Sequence, residues 1–141
     1  MKERIQILLG QELTSQRRVL SHQTAATFAE SEGEQYAEVL GTPFLVAEME
    51  KVCAKIIEPL LKLGEVSVGA HIDVRHLAST AVESDYWITA TLLECRWGLF
   101  TFNVEAKDSA GFIGKGKIVR AIASLESINR RAVQALQSHS E

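Results

Sequence analysis

The chain of 141 residues is short of cysteine, proline and aromatic side chains, and it has no long apolar run. Each shortage excludes something. The two cysteines, Cys53 and Cys95, stand far apart, which fits neither a disulfide framework nor a zinc knuckle. They are expected to be buried free thiols of a cytoplasmic protein. With two prolines and no low-complexity tract there is no linker, so one domain over 1–141 is expected. The longest wholly apolar runs, such as Phe44–Ala47, are far too short to span a membrane. Met1–Leu9 mixes Lys2, Glu3 and Arg4 with a short apolar tail and lacks a small-residue cleavage site, unlike a signal peptide. Neither sign of charge dominates: 15 Lys and Arg stand against 18 Asp and Glu, a net charge of -3. That is not the balance of a nucleic-acid-binding surface.

What is present reads as an ordinary globular domain, 46% hydrophobic and 23% charged. The first forty residues carry the weakest pattern: a strand over Glu12–Leu20, then an acidic loop or lid within Ala25–Glu38. Thr42-Pro43 is the clearest local signal. Threonine can cap a helix with its hydroxyl, and proline suits the first helical position. Behind it Phe44, Val46, Met49, Val52, Cys53, Ile56, Ile57, Leu60 and Leu61 recur at spacings of three and four. This predicts one long helix with a broad apolar face, ending near Lys62 before Gly64.

From Glu65 the period changes to two. Val66, Val68, Ala70, Ile72, Val74 and His76 are expected on one face of a strand, toward the helix, with Ser67, Gly69, His71, Asp73 and Arg75 on the other. Strands over Tyr86–Cys95, Leu99–Lys107 and Phe112–Glu126 follow, joined by turns at Arg96-Trp97-Gly98 and Asp108–Gly111. Ser127–Ser138 reads as a terminal helix. The order is an α+β fold: an antiparallel five-stranded sheet and one long helix. One helix covers one face only, so a second copy is expected against the rest.

Candidate chemistry concentrates at three positions. His76 falls on the apolar face of its strand, where it is either a core histidine or a catalyst. Glu50 interrupts the apolar run of the helix; with Glu48 about 200° away around the axis, at least one of the two carboxylates approaches the sheet. A partly buried carboxylate near a histidine is material for acid–base chemistry. Thr42 stands at a helix N-terminus, whose dipole favours a developing oxyanion. Thr42 and Glu50 are separated by ~12 Å along a straight helix. Either the first turn is irregular, the substrate lies along the helix, or the two residues come from different chains. His71, Asp73 and His76 offer ligand types for a metal, but the two histidines point to opposite faces, so no metal site is expected. Gly114-Lys115-Gly116-Lys117 lacks the spacing of a phosphate loop; Lys115, Lys117 and Arg120 could still meet phosphates at the sheet edge.

These residues carry a resemblance. Thr42, Phe44, Val46, Met49-Glu50, Cys53, Pro59, Gly64-Glu65, Ser67, Gly69 and His76, with Arg120-Ala121 and Leu125-Glu126 before Asn129, resemble the hotdog-fold thioesterases, and among them the fluoroacetyl-CoA thioesterase family. The resemblance runs from Gly10 to about Arg131. It implies a sheet wrapped around one long central helix, a homodimer, and hydrolysis of an acyl-CoA thioester with CoA as part of the substrate and no separate cofactor. It implies Thr42, Glu50 and His76 as catalytic residues, and Tyr36, Phe44, Gly69 and Arg120 at the acyl and CoA subsites. Tyr36 takes the place of a gating phenylalanine. Its amphipathic ring leads us to expect short acyl chains without special selectivity for fluoroacetyl over acetyl. A non-catalytic acyl-CoA-binding module of the same fold is the alternative. A hydratase of that fold would want an Asp and a His about five apart, and Asp73 and His76 do not supply that pair.

Overall fold

A computed structural model describes residues 1–140, with side chains through Ser138. Its strands are β1 (Glu12–Arg18), β2 (Glu65–His76), β3 (Asp85–Arg96), β4 (Leu99–Asp108) and β5 (Gly111–Ser124). They form one antiparallel sheet in the order β1-β3-β4-β5-β2. Helix α1 (Lys2–Leu8) precedes the sheet, α2 (Thr42–Ile57) lies across it, and α3 (Leu125–Ser140) follows it. This is the hotdog arrangement, a sheet curled around α2.

The core explains why. Strands β3 and β4 turn alternate residues inward: Tyr86, Ile88, Ala90 and Leu92, then Phe100, Phe102, Val104 and Ala106, all buried. Against them α2 sets Leu45, Met49, Val52, Cys53, Ile56 and Ile57. Each large aliphatic residue so buried contributes roughly 1.5–3 kcal/mol. Where α2 crosses β5 the sheet has Gly114, whose missing Cβ would lie 3.0 Å from Leu45 Cδ2 and 3.1 Å from the Met49 methyl. The β3–β4 turn takes φ 53° at Trp97 and 75° at Gly98, the left-handed pair that suits a two-residue hairpin.

The structure departs from the sequence reading in several places. Thr42 is not the cap of α2. Gly41 is, and its carbonyl accepts the amides of Phe44 at 3.0 Å and Leu45 at 3.1 Å. The α-helix stops at Ile57 instead of running to Lys62. Pro59 has no N–H to continue the ladder, and Glu58–Leu60 tightens into a 3-10 turn. Helix α1 is absent from the sequence reading; Ile5 and Leu8, three apart, pack it on the core. Cys53 is buried as expected, but Cys95 is only half-buried.

The largest departure is in β2. Gly69 pairs with Arg120 and His71 with Val119, so Ala70 is an extra, unpaired residue and the strand bulges. Alternation therefore changes phase at Ala70. Before the bulge Ser67 and Gly69 face the helix; after it Ile72, Val74 and His76 pair with Ile118, Gly116 and Gly114 on that same side. Val66, Val68 and Ala70 do not share the helix face with His76. Strand β2 pairs only with β5 and forms one edge of the sheet, with Ile72 44% exposed.

Candidate active site

Two clusters of polar side chains lie along α2. The first is at its N-terminus. Gly41 is wedged there: an added Cβ would sit 3.1 Å from the Phe28 ring, 3.2 Å from the Ala25 amide and 3.2 Å from Phe44. With the cap supplied by that backbone, the Thr42 hydroxyl is not spent on the helix. Its Oγ1 lies 2.7 Å from Nδ1 of His76, the last residue of β2. Burial holds the His76 imidazole below the ordinary histidine value of 6.5, partly offset by the Ala78 backbone. His76 is therefore a neutral ring near pH 7, and its Nε2 is buried without a hydrogen-bond partner. Thr42, His76, Leu77, Ala78 and Ser79 line an open cleft of about 320 Å³.

The second cluster lies two turns further along the helix, over the bulge. Glu50 Oε1 accepts a bond from Arg120 Nη1 at 3.0 Å. Arg120 also donates from Nε to Ser67 Oγ at 3.1 Å and from Nη2 to the Ser67 carbonyl at 2.7 Å. Three donors of one planar guanidinium are thus fixed. Gly69 makes room for the acid: a Cβ there would come within 2.3 Å of Glu50 Oε1. Beneath them Cys53 is sealed in the core, its thiol pushed up to about 12 by burial.

Of the residues the sequence singled out, Thr42 and His76 meet, and Glu50, Gly69 and Arg120 meet. The pairing of Glu50 with His76 is not made within one chain, where each has another partner. Phe44 stacks on Phe28 with ring centroids 5.5 Å apart. Tyr36 lies outside both clusters, its hydroxyl bonded to Glu34 Oε1 at 2.7 Å. Lys115 and Lys117 pair with Arg75 and Asp73 on the outer face of the sheet, away from Arg120 on the helix side, so the three cations do not gather. Among the described residues no group of three or more His, Cys, Asp or Glu could hold a metal. Sequence reasoning gave Ser67 to the outer face. Only the bulge brings it under Arg120.

Comparison with known proteins was made on this background. A model of the fluoroacetyl-CoA-specific thioesterase family matches residues 19–126. The fluoroacetyl-CoA thioesterase of Streptantibioticus cattleyicolor is 34% identical over 100 residues, 71% of this chain and 72% of that one. A phenylalanine-to-alanine variant of the fluoroacetyl-CoA-specific thioesterase, crystallised with fluoroacetate and CoA, superposes with a TM-score of 0.80 at 32% identity, covering 85% of this chain and 98% of that one. A thioesterase superfamily member from Thermus thermophilus superposes with a TM-score of 0.80 at 26% identity, over 92% and 96% of the two chains.

Proposed function

The chain belongs to the fluoroacetyl-CoA-specific thioesterase family, and on that premise we propose that it hydrolyses a short-chain acyl-CoA ester at a site shared by two copies of itself. Membership makes it a thioester hydrolase. The observation that carries the finer reading is the Thr42–His76 hydrogen bond at a helix N-terminus, with His76 neutral and its Nε2 unpaired.

With Nδ1–H donating to Thr42 Oγ1, the threonine hydroxyl is free to donate to the thioester carbonyl, and the Nε2 lone pair is free to take a proton. The start of α2 adds its dipole where the oxyanion develops. Glu50 then orients and deprotonates the attacking water through Oε2, since Oε1 is held by Arg120. The carbon–oxygen bond forms and the carbon–sulfur bond breaks. The proton passes by way of His76 to the leaving thiolate, giving the free acid and CoA. Phe44 flanks the acyl group, Gly69 keeps the backbone close to Glu50, and Arg120 stands toward CoA.

One chain cannot assemble this constellation, because Thr42 and Glu50 are separated by ~12 Å of helix. Two chains can. Antiparallel pairing of two β2 edges runs the His76 end of one strand toward the Glu65–Gly69 end of the other, and with it toward the second copy's Glu50. The homodimer is thus part of the reading. Light scattering at micromolar concentration should report twice 15.6 kDa, and a monomer would remove the shared site. A panel of CoA esters from acetyl to palmitoyl, assayed by thiol release, tests the activity. Turnover greatest among the short chains is expected. Binding of CoA esters without turnover would favour the binding module, and a maximum at long chains would refute the small pocket.

A further inference from the structure

We propose that Ser67 is a positioning residue of the site: it clamps the Arg120 guanidinium, and the clamped arginine holds the Glu50 carboxylate where it acts on the attacking water. The inference rests on the thioesterase reading above, and it deepens that reading by naming a residue that serves the chemical step through two others.

Arginine has a long, flexible stem, and a guanidinium tied by a single bond still swings. Ser67 takes two bonds from Arg120. Nε donates to the serine hydroxyl oxygen at 3.1 Å and Nη2 to the serine carbonyl at 2.7 Å, so one residue grips one edge of the planar group. Nη1, off that edge, is thereby aimed, and it donates to Glu50 Oε1 at 3.0 Å. The Arg120 side chain is 11% exposed, so water offers it little in place of these partners. Gly69 leaves the acid its space, because a Cβ there would stand 2.3 Å from Oε1. The grip depends on the bulge. Across the β2–β5 pair Gly69 faces Arg120 and Ser67 faces Ile122, so the arginine reaches diagonally to the serine on the helix side. Strict alternation back from His76 would send the Ser67 side chain to the outer face and leave Nε without an acceptor. Among the described residues the Ser67 hydroxyl bonds no side chain other than Arg120. What it does for the reaction therefore passes through that arginine.

The test measures kcat and KM for acetyl-CoA, per folded molecule, in the wild type, Ser67→Ala, Ser67→Thr, Glu50→Gln and the Ser67→Ala/Glu50→Gln double variant. Alanine removes the acceptor of Nε and keeps the carbonyl, so the guanidinium regains part of its swing. Ser67→Ala should lower kcat about tenfold and leave KM within about twofold, the pattern of a base displaced from its water. Threonine keeps the oxygen and suits a strand, so Ser67→Thr should recover most of the loss. On the Glu50→Gln background Ser67→Ala should cost no more than about twofold further, since the side chain it positions no longer serves as a base. A general loosening of the sheet would instead add its full cost. An unchanged kcat in Ser67→Ala, a loss carried by KM, a Ser67→Thr as slow as Ser67→Ala, or a further tenfold loss on the Glu50→Gln background would each overturn the proposal. Proton NMR reads the grip without turnover. The Nε–H signal of Arg120, identified by its absence from Arg120→Lys, should exchange with water slowly in the wild type and about tenfold faster in Ser67→Ala. If no ester is hydrolysed by the wild type, the thioesterase reading has failed; the exchange rate then decides the clamp separately, acceleration sustaining it and an unmoved rate ending it.

Discussion

Glu48 and Glu50 stand two positions apart on one helix, and the fold treats them in opposite ways. Glu48 turns toward β1 and is 8% exposed, with Arg17 Nε at 3.4 Å and Lys51 Nζ at 2.7 Å against its two oxygens. Tyr86, paired with Arg17 across β1 and β3, closes that side; burial and then the Glu48 charge raise its phenol. Glu50 turns toward β2 and β5, keeps 26% of its side chain exposed, and meets one cation over a glycine. On the function proposed above, the more deeply buried acid is the structural one. Two cations reach Glu48 and protein surrounds it, whereas Glu50 is bonded to Arg120 through one oxygen and keeps about a quarter of its side chain exposed. On that same function, access to a reactant and not depth of burial would separate the two roles.

The comparison breaks most sharply under amide substitution. Glu50→Gln should lower kcat/KM by about 10²-fold or more with little change in melting temperature, and His76→Ala should do the same. Glu48→Gln should do the reverse, keeping turnover per folded molecule within about threefold. It should cost about 1–2 kcal/mol of stability, a figure reduced from that of a fully buried pair because Lys51 and Arg17 reach water. Steady-state kinetics and thermal melts on the same preparations check both, and a folded Glu48→Gln enzyme without activity would exchange the assignments.

A second test acts on the glycine. Gly69→Ala places a methyl group within reach of Glu50 Oε1 and forces that flexible carboxylate aside. Turnover should fall about tenfold, because a misplaced base is a poor one, while the melting temperature barely moves. Wild-type kinetics in this variant would show that the position of Glu50 is not critical. Thr42→Ala should cost about tenfold, as for one lost transition-state donor partly replaced by the helix start, and Thr42→Ser distinctly less.

The smallest effect sharpens the contrast through pH. The folded-state value of His76 is lowered by burial, so the neutral ring persists below the pH at which a free histidine protonates. The acid limb of kcat/KM should therefore have its midpoint below 6.5, with activity lost as pH falls through it and retained above. Glu48→Gln, on the far face of α2, should leave that midpoint in place. A midpoint above 6.5 would mean a stabilised imidazolium and another role for His76.

Much of this architecture was legible in the sequence. The long helix behind Thr42-Pro43, the meander of β3, β4 and β5 and both their turns follow from periodicity and turn chemistry, which are local. Helix α1 was missed because seven residues with two apolar contacts give too short a pattern to show a period. The site was half legible. Its residue types and their resemblance to a family named Thr42, Glu50 and His76, but their partners were another matter.

The sequence by itself determined the elements and the candidate residues, since the 3.6- and two-residue repeats and the proline and glycine signals act over a few neighbours. Only the tertiary structure decided who meets whom. The Thr42 hydroxyl goes to a histidine 34 positions away, Glu50 to an arginine 70 away, and that arginine to a serine 53 away. Such contacts depend on the register of β2 against β5. A bulge at Ala70 resets that register halfway along, placing Ser67 and Gly69 under the helix where strict alternation would have put Val66 and Val68. A bulge belongs to a pair of strands rather than to either one, which is why neither segment read alone reveals it.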